Sequence, residues 1–241
     1  MNVFGIEFYQ GQQKDLIGEL IILSSAPFSY MVTANVNHIV LLDHDERFRD
    51  AYQRARHRLC DSRVLFPLLQ RFKANVAEPI PGSTLTQSMM QIAQEKRWPV
   101  TVLGCENDVI AALKVKYPSI TFYHYNPPMG FIDDPLEVSR CVDFIRKHEA
   151  RMTVFSVGSP RQEILAAEVL MRGGAIGVGL CVGASLAFLS GKIKRAPPWM
   201  QRLSLEWLHR LYTEPKRLTR RYAVDAYRIL PIIARQFRNH R

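Results

Sequence analysis

The chain has 241 residues, 47% of them hydrophobic, which suffices for a sizeable core in one large domain or a domain with an appendage. Its four cysteines (Cys60, Cys105, Cys141, Cys181) are far apart and form no CxxC pair, which argues against a zinc site or disulfide framework and for a reducing compartment. The net charge of +10 lies in the tail: residues 1–191 carry 19 Lys+Arg against 19 Asp+Glu, and residues 192–241 carry 13 against 3, so an anionic surface is the expected partner.

Asn2–Phe8 alternates like a strand and follows Met1 directly, with no signal peptide visible and no apolar run as long as a membrane span. Gln12–Leu23 has helical spacing. Tyr30–Ala34 reads as a short strand, followed by a helix over Val36–Leu42 with Asn35 as N-cap. Asp45–Arg58 reads as a solvated helix, and Leu59-Cys60 as the end of a strand before the helix Val64–Phe72. Pro79–Thr84 is a turn, Leu85–Glu95 a helix, Val100–Gly104 a strand, Asp108–Lys116 a helix and Ile120–His124 a strand. A Pro-Pro and Gly loop at Asn126–Phe131 precedes the helix Pro135–His148.

The stretch from Val154 to Pro197 organises the rest. It reads as strand, glycine turn, helix, strand, glycine turn, helix and basic loop, with breaks at Gly158-Ser159-Pro160 and Gly183 and with Ser159 as a helix cap. The regular alternation predicts an α/β fold: a Rossmann-like, mostly parallel sheet with helices on both faces. Two adjacent strand-to-helix turns would place backbone donors at the carboxyl edge of that sheet, where phosphorylated ligands bind, although plain βαβ packing explains the same pattern. Past Pro197-Pro198 come a helix over Leu203–Leu211 and an amphipathic helix over Lys216–Phe237, which Pro231 should kink. The expected division is therefore a core over 1–197 and a helical basic appendage over 198–241. Basic residues among aromatics and aliphatics suit a helix lying on an anionic bilayer, and equally a docking helix with a charged outer face.

Several familiar signals fail. Gly174, Gly177 and Gly179 do not form GxGxxG, and neither a Walker A loop nor a GxSxG elbow is present. Asp43-His44-Asp45 matches a metal-binding DxD but falls in a charged helical linker, so no metal and no cofactor are expected. Polar residues remain at the carboxyl ends of strands: Thr33, Asn35, Asp61 and Gln162. Asp61 is a lone carboxylate after an apolar strand, able to deprotonate an acceptor hydroxyl, or else to cap the helix that starts at Val64.

The motifs GSPRQE, VGAS…SGKIKRAPPWM, LEWLHRL and EPKRLTRR, preceded by TANVNHI, CDSRVL and PGSTLT in that order, resemble the WecG/TagA/CpsF family of bacterial glycosyltransferases over residues 2–222. The resemblance implies inverting, metal-independent transfer of a sugar from a nucleotide-sugar donor (UDP- or GDP-linked) to a polyprenyl-diphosphate-linked sugar, in exopolysaccharide or surface polysaccharide biosynthesis. It implies Asp61 as base, with Thr33 beside the acceptor. It also implies Asn35, Gly158, Gln162 and Gly183 around the substrates, and Arg210, Arg217 and Arg220 of the appendage closing over them. The enzyme would sit peripherally on the cytoplasmic face of the inner membrane, docked by the same appendage, and could self-associate. Departures are Pro79 where the family has an arginine, Ser62 after Asp61, Thr84 for Asp and Ala184 for glycine; Arg63 could supply the missing arginine. A basic nucleic-acid-binding α/β protein without catalytic activity is the alternative, although no nucleic-acid-binding motif is present. A nucleotide-sugar epimerase would need the nicotinamide fingerprint that is missing.

Overall fold

The computed structural model describes residues 2–197, 199–200 and 203–239. Pro198, Gln201 and Arg202 of the expected basic loop and its sequel lie outside the described residues, as do the chain's first and last positions.

The centre is a six-stranded sheet in the order β4-β3-β8-β7-β5-β6, with every pairing parallel. Its strands are β3 (Ser29–Ala34), β4 (His57–Cys60), β5 (Val100–Gly104), β6 (Phe122–Tyr125), β7 (Met152–Ser156) and β8 (Val178–Cys181). The central strands are apolar on both faces because helices cover both, as a parallel sheet requires. One face packs α2 (Val36–His44), α3 (Glu46–Arg54), α7 (Pro135–His148) and α8 (Arg161–Arg172) over Val32, Phe155 and Cys181. The other packs α1 (Gln13–Leu23), α5 (Gly82–Lys96) and α6 (Asn107–Lys116) over Met31, Val102 and Leu180. The expected α/β, Rossmann-like class is the class found.

Local departures have physical causes. Asn2–Phe8 is not one strand but a hairpin of two-residue strands, β1 (Asn2–Val3) and β2 (Ile6–Glu7), because Phe4 and Gly5 both take positive φ and reverse the chain. The helix expected to reach Arg58 ends at Arg54. Ala55 turns extended, and His57 and Arg58 join the sheet beside Met31 and Val32. Ser159 caps nothing: it precedes a cis Pro160, and its hydroxyl approaches Glu163 instead.

After the short helix α9 (Ser185–Leu189), the tail comprises α10 (Glu206–Thr213) and α11 (Pro215–Asn239), parted at Glu214. Pro231 lies within α11, and the helix continues through it. α11 lies against α2: Leu218, Ile229 and Ile232 are buried, and Asn37 Nδ2 donates to Asp225 Oδ1 at 2.9 Å. Its far end reaches the N-terminal hairpin, where the Phe4 N–H donates to Gln236 Oε1 at 3.1 Å. There Phe237 also packs at a tilt against Phe72, at the end of α4 (Leu65–Arg71), with ring centroids 4.7 Å apart.

Candidate active site

A cleft of about 970 Å³ opens at the carboxyl edge of the sheet, and residues following every main-sheet strand except β6 line it. That edge is where an open α/β sheet offers turns and helix starts to a ligand. Asp61, Thr33, Asn35, Gly158, Gln162, Gly183, Arg210 and Arg217 all line it; Arg220 does not.

Asp61 follows β4, and its N–H donates to Ala34 O at 2.9 Å, which carries the sheet pairing one residue beyond the strand. It does not cap α4. The Ser62 hydroxyl does that, accepting from the Val64 and Leu65 N–H groups at 3.2 Å each. Asp61 reaches across the cleft floor instead, and its Oδ1 accepts the Gly82 N–H of α5 at 2.7 Å. Gly82 suits this close approach: a Cβ would meet Thr33 Cγ2 and Val182 Cγ1 at 3.3 Å, so those side chains would have to give by a few tenths of an ångström. Burial pushes the Asp61 carboxyl up to about 6; the Gly82 hydrogen bond pulls it down, Glu206 pushes it up, and Arg210 and Arg195 pull it down. The site thus holds a carboxylate anchored by one oxygen, ionised at neutral pH yet more basic than an ordinary Asp.

Thr33 and Gln162 serve the turn after β8. Thr33 Oγ1 donates to Cys181 O at 3.0 Å. Gln162 is buried, its Oε1 accepts the Gly183 N–H at 3.1 Å, and its Nε2 donates to Glu163 Oε1 at 2.7 Å. Ser156 Oγ donates to Gly183 O at 2.9 Å, so both backbone groups of Gly183 are committed to protein. The Gly183 donor expected to meet a phosphate is therefore already used. Gly183 has φ +56 and open space around it, whereas Ala184 has an ordinary φ of −78, so alanine there needs no strain. Asn35 Oδ1 caps α2 through the His38 N–H at 3.2 Å.

The tail adds cations to Arg63, Arg161 and Lys192 of the core. Arg210 lies over the Phe188 ring, 5.9 Å from its centroid, and Arg221 over Tyr222 at 5.3 Å. The Nε atoms of both are buried without a hydrogen-bond partner. Arg217 pairs with Glu214, Nη2 to Oε2, at 2.5 Å. Along α11, Arg217, Arg221, Asp225, Ile229 and Ile233 follow one another at i, i+4 and all line the cleft; Arg220 lies off that row, so Arg221 stands where Arg220 was expected. Arg195 ties the tail to the core, donating to Thr84 Oγ1 at 3.2 Å with Glu206 at 4.0 Å.

Sequence reasoning missed Arg221, Glu206, His38 and Glu163. The i, i+4 row from Arg217 was a usable signal for Arg221. His38 lies in the first turn of α2 with Nδ1 2.6 Å from the Tyr52 hydroxyl, and burial followed by the Arg221 charge pushes it down to about 3, so it stays neutral. Glu163 is fully buried, and burial pushes it up to about 7. Among the described residues no group of three His, Cys, Asp or Glu is placed to hold a metal ion. Asp45 of the DxD-like triplet caps α3 through the Phe48 N–H, and Asp43 pairs with Arg235.

The model of the glycosyl transferase WecG/TagA/CpsF family matches residues 1–241. The chain belongs to that family. This glycosyltransferase is 28% identical over 204 residues to the N-acetylglucosaminyldiphosphoundecaprenol N-acetyl-beta-D-mannosaminyltransferase of Staphylococcus aureus strain NCTC 8325, covering 82% of this chain and 77% of the relative. The counterparts from strains COL and MRSA252 carry the same printed name and match with the same identity and coverage. Among the described residues of the transferase, no helix is long and apolar enough to cross a membrane.

Proposed function

We propose that this glycosyltransferase moves a sugar, with inversion and without a metal, from a UDP- or GDP-linked donor to a sugar carried on a polyprenyl diphosphate, in the assembly of an exopolysaccharide or other surface polysaccharide. The reading rests on the half-anchored carboxylate of Asp61 facing the guanidinium groups of Arg210, Arg217 and Arg221 across one cleft. Asp61 takes the proton of the acceptor hydroxyl as its oxygen bonds to the anomeric carbon. The bond from that carbon to the donor phosphate breaks on the opposite side, and the nucleoside diphosphate leaves with the electron pair. The forks of Arg210 and Arg217 stabilise that diphosphate in place of a metal. Gln162 acts by holding the Gly183 turn, and Thr33 by fixing the end of β8 beside the acceptor.

The name of the staphylococcal relatives supports the acceptor class. The tail supports a peripheral position on the cytoplasmic face of the inner membrane: Trp199, Leu203, Tyr212, Tyr227 and Leu230 are exposed among Lys216, Arg220 and Arg228. In this reading residues 198–241 form one unit that both closes the cleft and docks on anionic lipid.

The test is a donor screen by released nucleotide, with N-acetylglucosamine on a polyprenyl diphosphate as acceptor and EDTA present. Transfer from one UDP- or GDP-sugar, lowered about 10²–10⁴-fold by Asp61→Asn, is expected. Dependence on added divalent cation, or full activity of Asp61→Asn, overturns the mechanism.

A further inference from the structure

The cleft changes character along its length. At one end Arg63, Arg217 and Arg221 line it; farther along α11, past Asp225, whose carboxylate Asn37 holds, come Ala226, Ile229 and Ile233, with Val64 and Leu68 at i, i+4 on the α4 side. Where α4 ends, Phe72 and Phe237 meet with their rings tilted, centroids 4.7 Å apart, and Arg71 lies over the Phe237 ring. Both elements thus give the cleft a cation and an aliphatic wall: Arg63 with Val64 and Leu68 on one side, Arg221 with Ile229 and Ile233 on the other. From Arg221 to Ile233 the rise of the helix gives about 18 Å. Val64 is 44% exposed, and Leu68 and Ile233 are only partly buried, so these side chains still present apolar surface to the cleft.

A nucleotide-sugar offers such a wall only the faces of its base, too short to follow it for about 18 Å, whereas a ligand with a diphosphate head and a hydrocarbon tail can run its whole length. We propose that the groove between the start of α4 and the middle of α11 is the subsite for the first isoprene units of the lipid acceptor, with Arg63 and Arg221 at its diphosphate. The proposal rests on the acceptor class argued above and adds where the chain lies. Apolar area removed from water supplies affinity there, and the cations fix which end enters first.

Calorimetric titration of the whole protein tests it, with inorganic diphosphate, dimethylallyl, geranyl and farnesyl diphosphates below their aggregation concentrations, and with farnesol. Affinity is expected to climb by about tenfold or more from dimethylallyl to farnesyl diphosphate. Farnesol, lacking the anionic head, is expected to bind more weakly than farnesyl diphosphate. Val64→Ser and Leu68→Asn alter no charge. They are expected to flatten the series while leaving the affinity for inorganic diphosphate and for anionic phosphatidylglycerol vesicles unchanged. A flat series in the wild-type protein, a series that survives in both variants, or farnesol binding as tightly as its diphosphate overturns the proposal. So does loss of vesicle binding in the variants with the series intact, because the wall is then bilayer-facing surface. A flat series alongside measurable sugar transfer removes this subsite alone; a steep series without transfer from any donor removes the proposed reaction and leaves a prenyl-diphosphate site.

Discussion

The carboxamide of Gln162 joins the two glycine turns of the cleft: it leaves the first turn of α8 and accepts the Gly183 N–H at 3.1 Å. Its other end is held by Glu163 at 2.7 Å, within a fully buried pair. Gln162→Ala leaves a partly buried N–H without its acceptor, at about 1–3 kcal/mol. It is expected to lower kcat by slackening the turn. Glu163→Gln keeps an acceptor for the Gln162 amide, so turnover is expected within about twofold of wild type, whereas Glu163→Ala is expected to resemble Gln162→Ala. Steady-state kinetics with thermal unfolding of the three variants checks this; equal loss in Glu163→Gln and Glu163→Ala refutes the positioning role.

Asp61 sets a pH dependence of its own. Its folded-state carboxyl, at about 6, lies above the ordinary 3.8, so the native state holds the proton more tightly than the unfolded chain. Stability from this group is therefore present in full below pH 4 and lost as pH rises towards 6, leaving a cost of about 3 kcal/mol at neutral pH. Asp61→Asn, which still offers Gly82 an acceptor, is expected to raise the unfolding temperature by several degrees at pH 7.5 and to change it little near pH 4. In the active enzyme kcat/KM is expected to fall about tenfold per unit below pH 6. Unfolding scans and rate profiles across pH 4–8 decide both.

Glu214 occupies the guanidinium of Arg217 in a pair that is half exposed on the arginine side. Pairs of this kind contribute about 1 kcal/mol or less, so a diphosphate can displace the carboxylate. Glu214→Gln is expected to lower KM for the diphosphate ligand that Arg217 grips, by about two- to fivefold, with kcat unchanged. Arg217→Lys is expected to raise it, since an ammonium cannot reproduce the planar fork. An unchanged KM in both variants would place Arg217 outside the substrate contacts.

The outer face of α11 carries Tyr227 and Leu230, 80% and 64% exposed. Replacing both with serine removes no core contact and is expected to leave the unfolding temperature within about 1 °C. Cosedimentation with anionic vesicles is expected to drop about tenfold or more, and transfer to a vesicle-borne acceptor with it. Transfer to a short-chain soluble acceptor should persist; its loss would show that these side chains serve the cleft and not the membrane.

The layered fold was legible because apolar runs of strand length alternate with helical spacing from Ser29 onward, and the helix Pro135–His148 has the bounds expected of it. Positions in the cleft were legible as strand ends, since one sheet edge gathers them all. Contacts were not. Asp61 bonds to Gly82, 21 residues away, and Ser62 takes the capping role, so the competition between two adjacent polar residues is settled by tertiary geometry. Gln162 read as a ligand contact because nothing local shows that Gly183 and Glu163 consume its amide. Arg220 and Arg221 differ by one residue, and the choice between them depends on how α11 is rotated against α2.

The clasp between the Phe4 N–H and Gln236 closes a span of 232 residues. The hairpin of β1 and β2 has no such partner until α11 has been made and has docked. Because contacts so distant in sequence form late, the wall contributed by α11 is the last to arrive. The sheet can then be complete while the cleft still lacks Arg217 and Arg221, and catalytic competence waits on the docking of α11.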